Sequence, residues 1–269
     1  MSLPVSAYII TLNEGAVIEN CVRSLDGFGE IVVVDSGSTD ETLAILARLA
    51  AEGFPIRVMH RDWPGYAAQK QFALEATTLP WAFNIDADER LDATLRAALS
   101  ALLDAPPEVK AWRVRRRNYL IGYGYQPRSA PEHHLLRLTR RGTARFDPNS
   151  LVHETILVEG EVRDAKSGSL LHYRPLPIAD QIEKENRYSS LKAEQLARAG
   201  KGPRPWKLVF NPLVYFLRLY VRRRLYRCGW AGFIQAGTGA VYAFLTEAKL
   251  MQRALAERLP PGEENAPNA

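Results

Sequence analysis

Residues 31–40 read Ile-Val-Val-Val-Asp-Ser-Gly-Ser-Thr-Asp. Consecutive β-branched residues favour an extended chain, and a run without a polar break is buried on both faces, as inside a parallel sheet. The polar segment that follows ends the strand. Gly37 permits a tight turn, and Thr39 or Asp40 can cap a helix. Residues 42–51 then have helical apolar spacing.

Working outward, the same unit repeats. Val5–Thr11, Ile56–Met59 and Trp81–Ile85 read as further strands. Helical patterns cover 16–25, 66–76 and 91–103. Strands alternating with helices predict an α/β fold with a Rossmann-like, mainly parallel sheet flanked by helices. Later strands are expected at 111–118, 135–139 and 169–173, and a charged helix at 178–199. Residues 1–177 are thus expected to form the α/β domain and 178–259 a C-terminal helical extension, with 260–269 a disordered tail.

The chain has 269 residues, of which 46% are hydrophobic and 24% charged, so a sizeable core is available. A net charge of +5 favours anionic partners. The two cysteines, Cys21 and Cys228, have no ligand-like spacing, which excludes a disulfide framework and fits a reducing compartment. The N-terminus lacks the basic start and cleavage site of a signal peptide, so a cytoplasmic protein is expected.

In open α/β sheets ligands bind beyond the carboxyl ends of the strands. Those positions are 11–14, 35–40, 62–70 and 86–90, and all are polar. In Asn84-Ile85-Asp86-Ala87-Asp88-Glu89, extended geometry would point Asp86 and Asp88 the same way. Two neighbouring carboxylates repel unless a cation separates them, and Mg²⁺ or Mn²⁺ prefers such oxygens together with phosphate. The plainer alternative is a solvated loop with Asp88 or Asp92 capping the next helix. Asp35, at the end of a buried strand, wants a partner and can accept hydrogen bonds from a base or ribose hydroxyls. Lys70, with Gln69 early in a helix, can meet phosphate oxygens or a base edge. Arg113, Arg115 and Arg117 alternate along a strand and suit a phosphorylated acceptor or an ordinary charged edge. His133 and His134 are candidates to border that acceptor.

Thr11-Leu12-Asn13-Glu14, then Val33 to Asp40, then Asp86-Ala87-Asp88 resemble the signature series of glycosyltransferase family 2. Trp63-Pro64-Gly65-Tyr66 with Gln69-Lys70, and Val152-His153-Glu154, resemble its lipopolysaccharide-core branch typified by WaaE (KdtX). The resemblance implies a GT-A fold, a nucleotide-diphosphate sugar donor and inversion at the anomeric carbon. It implies that Thr11, Asn13, Glu14, Asp35, Ser36, Gln69, Lys70 and Asp86 bind the donor. It places Asp88 at the metal, with Asp86 near the ribose or metal and His172 as a further ligand. Glu154 falls where the family keeps its catalytic base. The family's usual pair there is Glu-Asp, so the base is Glu154, another acid or His153. A hexose, glucose from UDP-glucose, and a lipopolysaccharide inner-core or other envelope-glycan acceptor are expected on the same ground.

Cys228–Thr246 carries no charge. Its glycines dilute its hydrophobicity, and arginines precede it, so helices lying on a lipid surface fit better than a span. Peripheral association with the cytoplasmic face of the inner membrane is therefore expected. The alternatives are soluble helices packed on the α/β domain or a dimer contact. Two rival functions are weighed. A nucleotidyltransferase needs a glycine-rich basic loop after the first strand, where this chain has Thr-Leu-Asn-Glu. A nucleic-acid binder rests on charge alone, and strand-end carboxylates would repel phosphate, so no nucleic acid is expected.

Overall fold

The computed structural model describes residues 2–127, 133–148, 155–175 and 177–256. The chain divides into two compact units, residues 1–119 with 132–174, and residues 120–131 with 175–269. The expected disordered tail lies outside the described residues.

The first unit begins with β1 (Leu3–Thr11), α1 (Ile18–Ser24), β2 (Phe28–Asp35), α2 (Thr42–Ala51), β3 (Ile56–His60), α3 (Tyr66–Glu75) and β4 (Trp81–Asn84). There follow β5 (Glu89–Leu91), α4 (Ala93–Leu103) and β6 (Val109–Leu120); β7 (Gly124–Tyr125) lies in the segment assigned to the second unit. The first unit resumes with β8 (His133–Arg140), β9 (Ala144–Phe146), β10 (Ile156–Val158), β11 (Glu161–Asp164) and β12 (Leu170–His172). The main sheet runs β3-β2-β1-β4-β8-β6-β12-β5. Its first four strands are parallel, as the βαβ pattern predicts, and Thr11 lies beside Asp35. β8 then pairs antiparallel to both β4 and β6. The sheet is thus mixed, with β8 antiparallel between β4 and β6, while β6 returns to parallel pairing with β11 and β12.

Ile9, Val33, Phe83, Leu46, Leu95 and Leu99 are fully buried in the core between this sheet and its helices. The helix expected from Leu91 starts later. Leu91 is buried and pairs with Leu170, and Asp92 caps α4 through Oδ1, which accepts from the Leu95 amide at 2.7 Å. The short strands β9, β10 and β11 carry too little periodicity to be read from sequence.

In the second unit, α5 (Ile178–Arg198), α6 (Pro205–Leu217) and α7 (Gly229–Ala256) are the long helices, with a π-turn at Arg218–Arg222 and a 3₁₀ turn at Leu225–Cys228 between the last two. Lys249 Nζ on α7 donates to the Ser189 hydroxyl (2.8 Å) and the Asn186 side-chain oxygen (2.7 Å) on α5. Glycines let α7 lie close to the preceding turns: a Cβ at Gly239 would sit 2.5 Å from Leu219 Cδ1. The uncharged 228–246 run is thus shaped for close packing. Among the described residues, no helix is long and apolar enough to cross a membrane.

Gly168 fixes the approach of β12 to α4. Its φ is +81°, and a Cβ there would lie 2.3 Å from Leu95 Cα. Gly168→Ala is expected to destabilise the protein by about 3 kcal/mol or more in urea unfolding. Gly142→Ala, with φ +79° but open space around it, should cost only about 1 kcal/mol.

Candidate active site

The site is assembled at the carboxyl ends of β1, β2 and β4. Its floor is a lacing of two loops. Asn13 adopts φ 56°, and its Oδ1 accepts from the Thr39 amide at 2.8 Å. The Asn13 amide donates to Ser38 Oγ, the Glu14 amide to Thr42 Oγ1 and the Gly15 amide to Asp40 Oδ2, each at 2.9 Å. Asp35 accepts from the Gly37 and Ser38 amides at 2.8 and 2.9 Å. Asp35 therefore finds its partners within its own loop, and Asn13 serves the same framework. Thr11 is buried, and its hydroxyl has no partner among the described residues. Gln69 is also buried; its Nε2 donates to Ser36 Oγ (2.9 Å) and the Arg61 carbonyl (3.1 Å), while its Oε1 has no partner among the described residues.

Beside this floor lies a buried charge cluster. Lys70, expected to meet phosphate oxygens or a base edge, donates from Nζ to Asp86 Oδ1 at 2.7 Å. On the other side Arg137 Nη2 donates to Asp86 Oδ2 (2.8 Å) and Glu89 Oε1 (2.7 Å). Glu89 in turn accepts from the Asp86 amide, which closes the 86–89 turn. Lys70, Glu89 and Arg137 are each 5% exposed or less. Burial pushes the Asp86 carboxyl up, but Arg137 and Lys70 outweigh it and hold it well below the usual range. For Glu89 burial wins over Arg137 and the carboxyl is raised.

The turn separates the two aspartates. β4 ends at Asn84, so Asp86 and Asp88 do not share a strand face. Asp88 Oδ2 lies 3.2 Å from His172 Nε2 and accepts from Arg174 Nη1 at 3.1 Å. Burial raises the Asp88 carboxyl, and the His172 hydrogen bond, with Arg174 adding to it, brings it below its ordinary value. Arg174 also lies 3.8 Å from Glu14, whose carboxyl is raised by burial in spite of it. His172 is placed by register: it pairs with Glu89 on β5 and Asn118 on β6. Its Nδ1 lies 3.2 Å from Asn118 Oδ1. Where Nε2 carries a proton it donates to Asp88 and lowers that carboxyl; where Nδ1 alone carries one and donates it to Asn118, Nε2 and the carboxylate are both acceptors. Two acceptors at that distance want a proton or a cation between them.

One imidazole and one carboxylate, with phosphate and water completing the shell, suit Mn²⁺ or Mg²⁺. Among the described residues no group of three or more His, Cys, Asp or Glu side chains could hold a metal by itself. Asp86 already has two cations on its carboxylate. Thus Asp88 and His172 are the fitting pair.

Val152, His153 and Glu154 lie outside the described residues. Arg113, on β6 between β8 and β12, pairs with Asp164 at 3.6 Å, and His134 Nδ1 lies 3.9 Å from the same carboxylate. Sequence reasoning missed Arg137, Asn118, Glu89 and Arg174. Arg137 had a signal, a lone charge inside the apolar alternation Leu135-Leu136-Arg137-Leu138. Asn118 had none, since only the strand register brings it to His172.

A sheet with parallel βαβ units, a mixed far half and acids gathered at the strand ends defines a GT-A glycosyltransferase. The chain belongs to glycosyltransferase family 2, which residues 6–155 match. It is similar to the lipopolysaccharide core biosynthesis glycosyltransferase LpsC of Rhizobium meliloti (strain 1021), with 58% identity over 251 residues and 93% of each chain covered. An uncharacterised glycosyltransferase of Rickettsia felis is 31% identical, over 93% of this chain and 90% of that one. The crystal structure of S. aureus TarS 1–349 in complex with UDP has the same fold, with a TM-score of 0.50 and 16% identity over 94% of this chain and 92% of that one. The nucleotidyltransferase and nucleic-acid-binding readings fall with the family assignment.

Arg137→Met would leave Asp86 and Glu89 buried with less compensation. At about pH 7 the variant is expected to lose about 3–5 kcal/mol of unfolding free energy. The native Asp86 carboxyl is depressed, so its contribution is present above its unfolded pKa and lost as pH falls through the folded value. In the variant both carboxyls are raised. The deficit should therefore shrink as pH falls toward about 5, which denaturant titrations at the two pH values would measure.

Proposed function

We propose that this enzyme transfers a hexose, glucose, from a UDP-sugar to the lipopolysaccharide inner core or another envelope glycan, inverting the anomeric carbon. The observation that carries this is the Asp88–His172 pair at the strand ends, read together with the close relation to LpsC. The acceptor in this reading is lipid-linked, and the enzyme works in the cytoplasm at the inner-membrane face.

Asp88 and His172 would hold Mg²⁺ or Mn²⁺. When bound, the ion neutralises charge on the leaving diphosphate. Asp86, with its side chain 30% exposed, keeps one edge for a donor hydroxyl while Lys70 and Arg137 hold the other two. Thr11 and Gln69 each offer a buried oxygen, Oγ1 and Oε1, without a partner among the described residues, which supports the expectation that they meet the donor. Asn13, Asp35 and Ser36 set the loops on which Glu14 stands. Arg174 carries positive charge beside Asp88 and can turn to phosphate once a cation takes the carboxylate. The acceptor hydroxyl is a poor nucleophile until its proton leaves in the transition state. Glu154 is assigned to take that proton, with His153 or another acid as the alternative.

The test is a transfer assay with UDP-glucose, other UDP-hexoses and GDP-sugars on a truncated inner-core acceptor, with the anomer read by NMR. UDP-glucose should give a β-linked product, because the donor is α and the reaction inverts. No transfer from any UDP-sugar, or an α-linked product, would overturn the reading. Asn118→Ala should weaken Mn²⁺ binding, read by electron paramagnetic resonance, by about ten- to a hundredfold. Asn118→Asp, which still accepts from Nδ1–H, should retain it.

A further inference from the structure

Helix α6 carries an unusual apolar face. Trp206, Val209, Leu213 and Leu217 recur every three or four residues, Val221 in the following π-turn continues the stripe, and Phe210 and Val214 widen it. All are exposed, Val209 at 69% and Val214 at 60%. The opposite side of the same segment is the packed one, since Phe216, Leu219 and Tyr220 lie against the buried Leu225 and Ala236. At the start of α7 Trp230 is 80% exposed, its ring 5.9 Å from that of the exposed Phe233. A soluble helix facing water has its polar residues on this side, so the face is built to be covered.

The charge around it identifies the cover. Between Glu194 and Glu247 there is no carboxylate side chain, against nine lysines and arginines. Arg218, Arg222, Arg224 and Arg227 are exposed in the two turns that join α6 to α7. A second copy of the chain would bring like charge against like charge, and dimer interfaces are depleted of charge at their core. An anionic lipid surface meets both demands. Aromatic and aliphatic side chains enter the acyl boundary, and arginines reach phosphate headgroups.

We infer that the α6 stripe with Trp230, flanked by the arginines of the connecting turns, is an interfacial surface that seats the enzyme on an anionic lipid bilayer. The inference deepens the reading that the acceptor is lipid-linked and names the residues that would bring the enzyme to it. It concerns contact with one leaflet, since no helix among the described residues is long and apolar enough to span.

The test is co-sedimentation of the full chain with phosphatidylcholine vesicles, with and without phosphatidylglycerol, alongside tryptophan emission. Native protein should bind the anionic vesicles, shift its emission to the blue, and lose binding by about tenfold or more on moving from low to high salt. A Val209→Ser, Leu213→Ser, Trp230→Ser variant, and separately Arg218→Gln with Arg222→Gln, should each bind at least about tenfold more weakly. Every substituted side chain is exposed, and unchanged circular dichroism would confirm the fold. Equal binding to neutral and anionic vesicles, or native-like binding by both variants, would overturn the surface. So would sedimentation showing a native dimer that the serine variant dissociates, with no vesicle binding, for then the face joins two copies. UDP binding by the same samples separates the two claims. Its loss in native protein would count against the transferase reading, while the vesicle result alone decides the surface.

Discussion

The guanidinium of Arg137 is the constraint on which the site depends. It lies between two carboxylates, the buried Glu89 and the partly exposed Asp86. Removing it would leave the buried Glu89 without its closest compensating charge, which is far more costly than the net gain from the pair. The cluster therefore behaves as a unit with Lys70, and it fixes the turn that follows β4. Because Asp86 takes part in that compensation, we assign the proposed cation to Asp88.

The rest of the geometry follows from register. β12 lies between β5 and β6, so His172 has Glu89 on one side and Asn118 on the other. The tip of β12 is tied down further by the Tyr173 amide, which donates to the Asp88 carbonyl at 2.8 Å. Asp88 and His172 thus face each other through backbone pairing rather than through flexible side chains, which is what a preorganised cation site requires. On the other flank, the Asn13–Thr39 and Gly15–Asp40 bonds lock the first two strand-end loops together. A Cβ at Gly15 would come within 2.9 Å of Asp40 Oδ2 and press on that bond.

Much of this was legible in the sequence. The IVVV run, the alternation of strands and helices and the polar strand ends led to the α/β architecture and to the loops that carry the site. The roles of single residues were less legible. A polar residue at a strand end looks the same in sequence whether or not it also ties down its own loop, as Asp35 and Asn13 do. Lys70 is read from one helix as a free cation, yet its partner Asp86 comes from another segment. Leu91 fits a helical pattern locally, but pairing with Leu170 draws it into a strand. Asn118 matters through long-range pairing alone, which no local pattern encodes, and Arg137 shows locally only as a lone charge among leucines. The α6 stripe, in contrast, has clear helical periodicity, and only the packing of its opposite side revealed that it is the face left open.

The central claim is that the Asp88–His172 pair holds the cation through which the donor's diphosphate is bound. Calorimetric titration of UDP and UMP into the native protein, with Mn²⁺ and then with chelator, tests it most directly. The account predicts that UDP binds with Mn²⁺ and loses most of its affinity in chelator, while UMP, which lacks the diphosphate, gains little from the metal. UDP binding of equal strength with and without Mn²⁺ would contradict it.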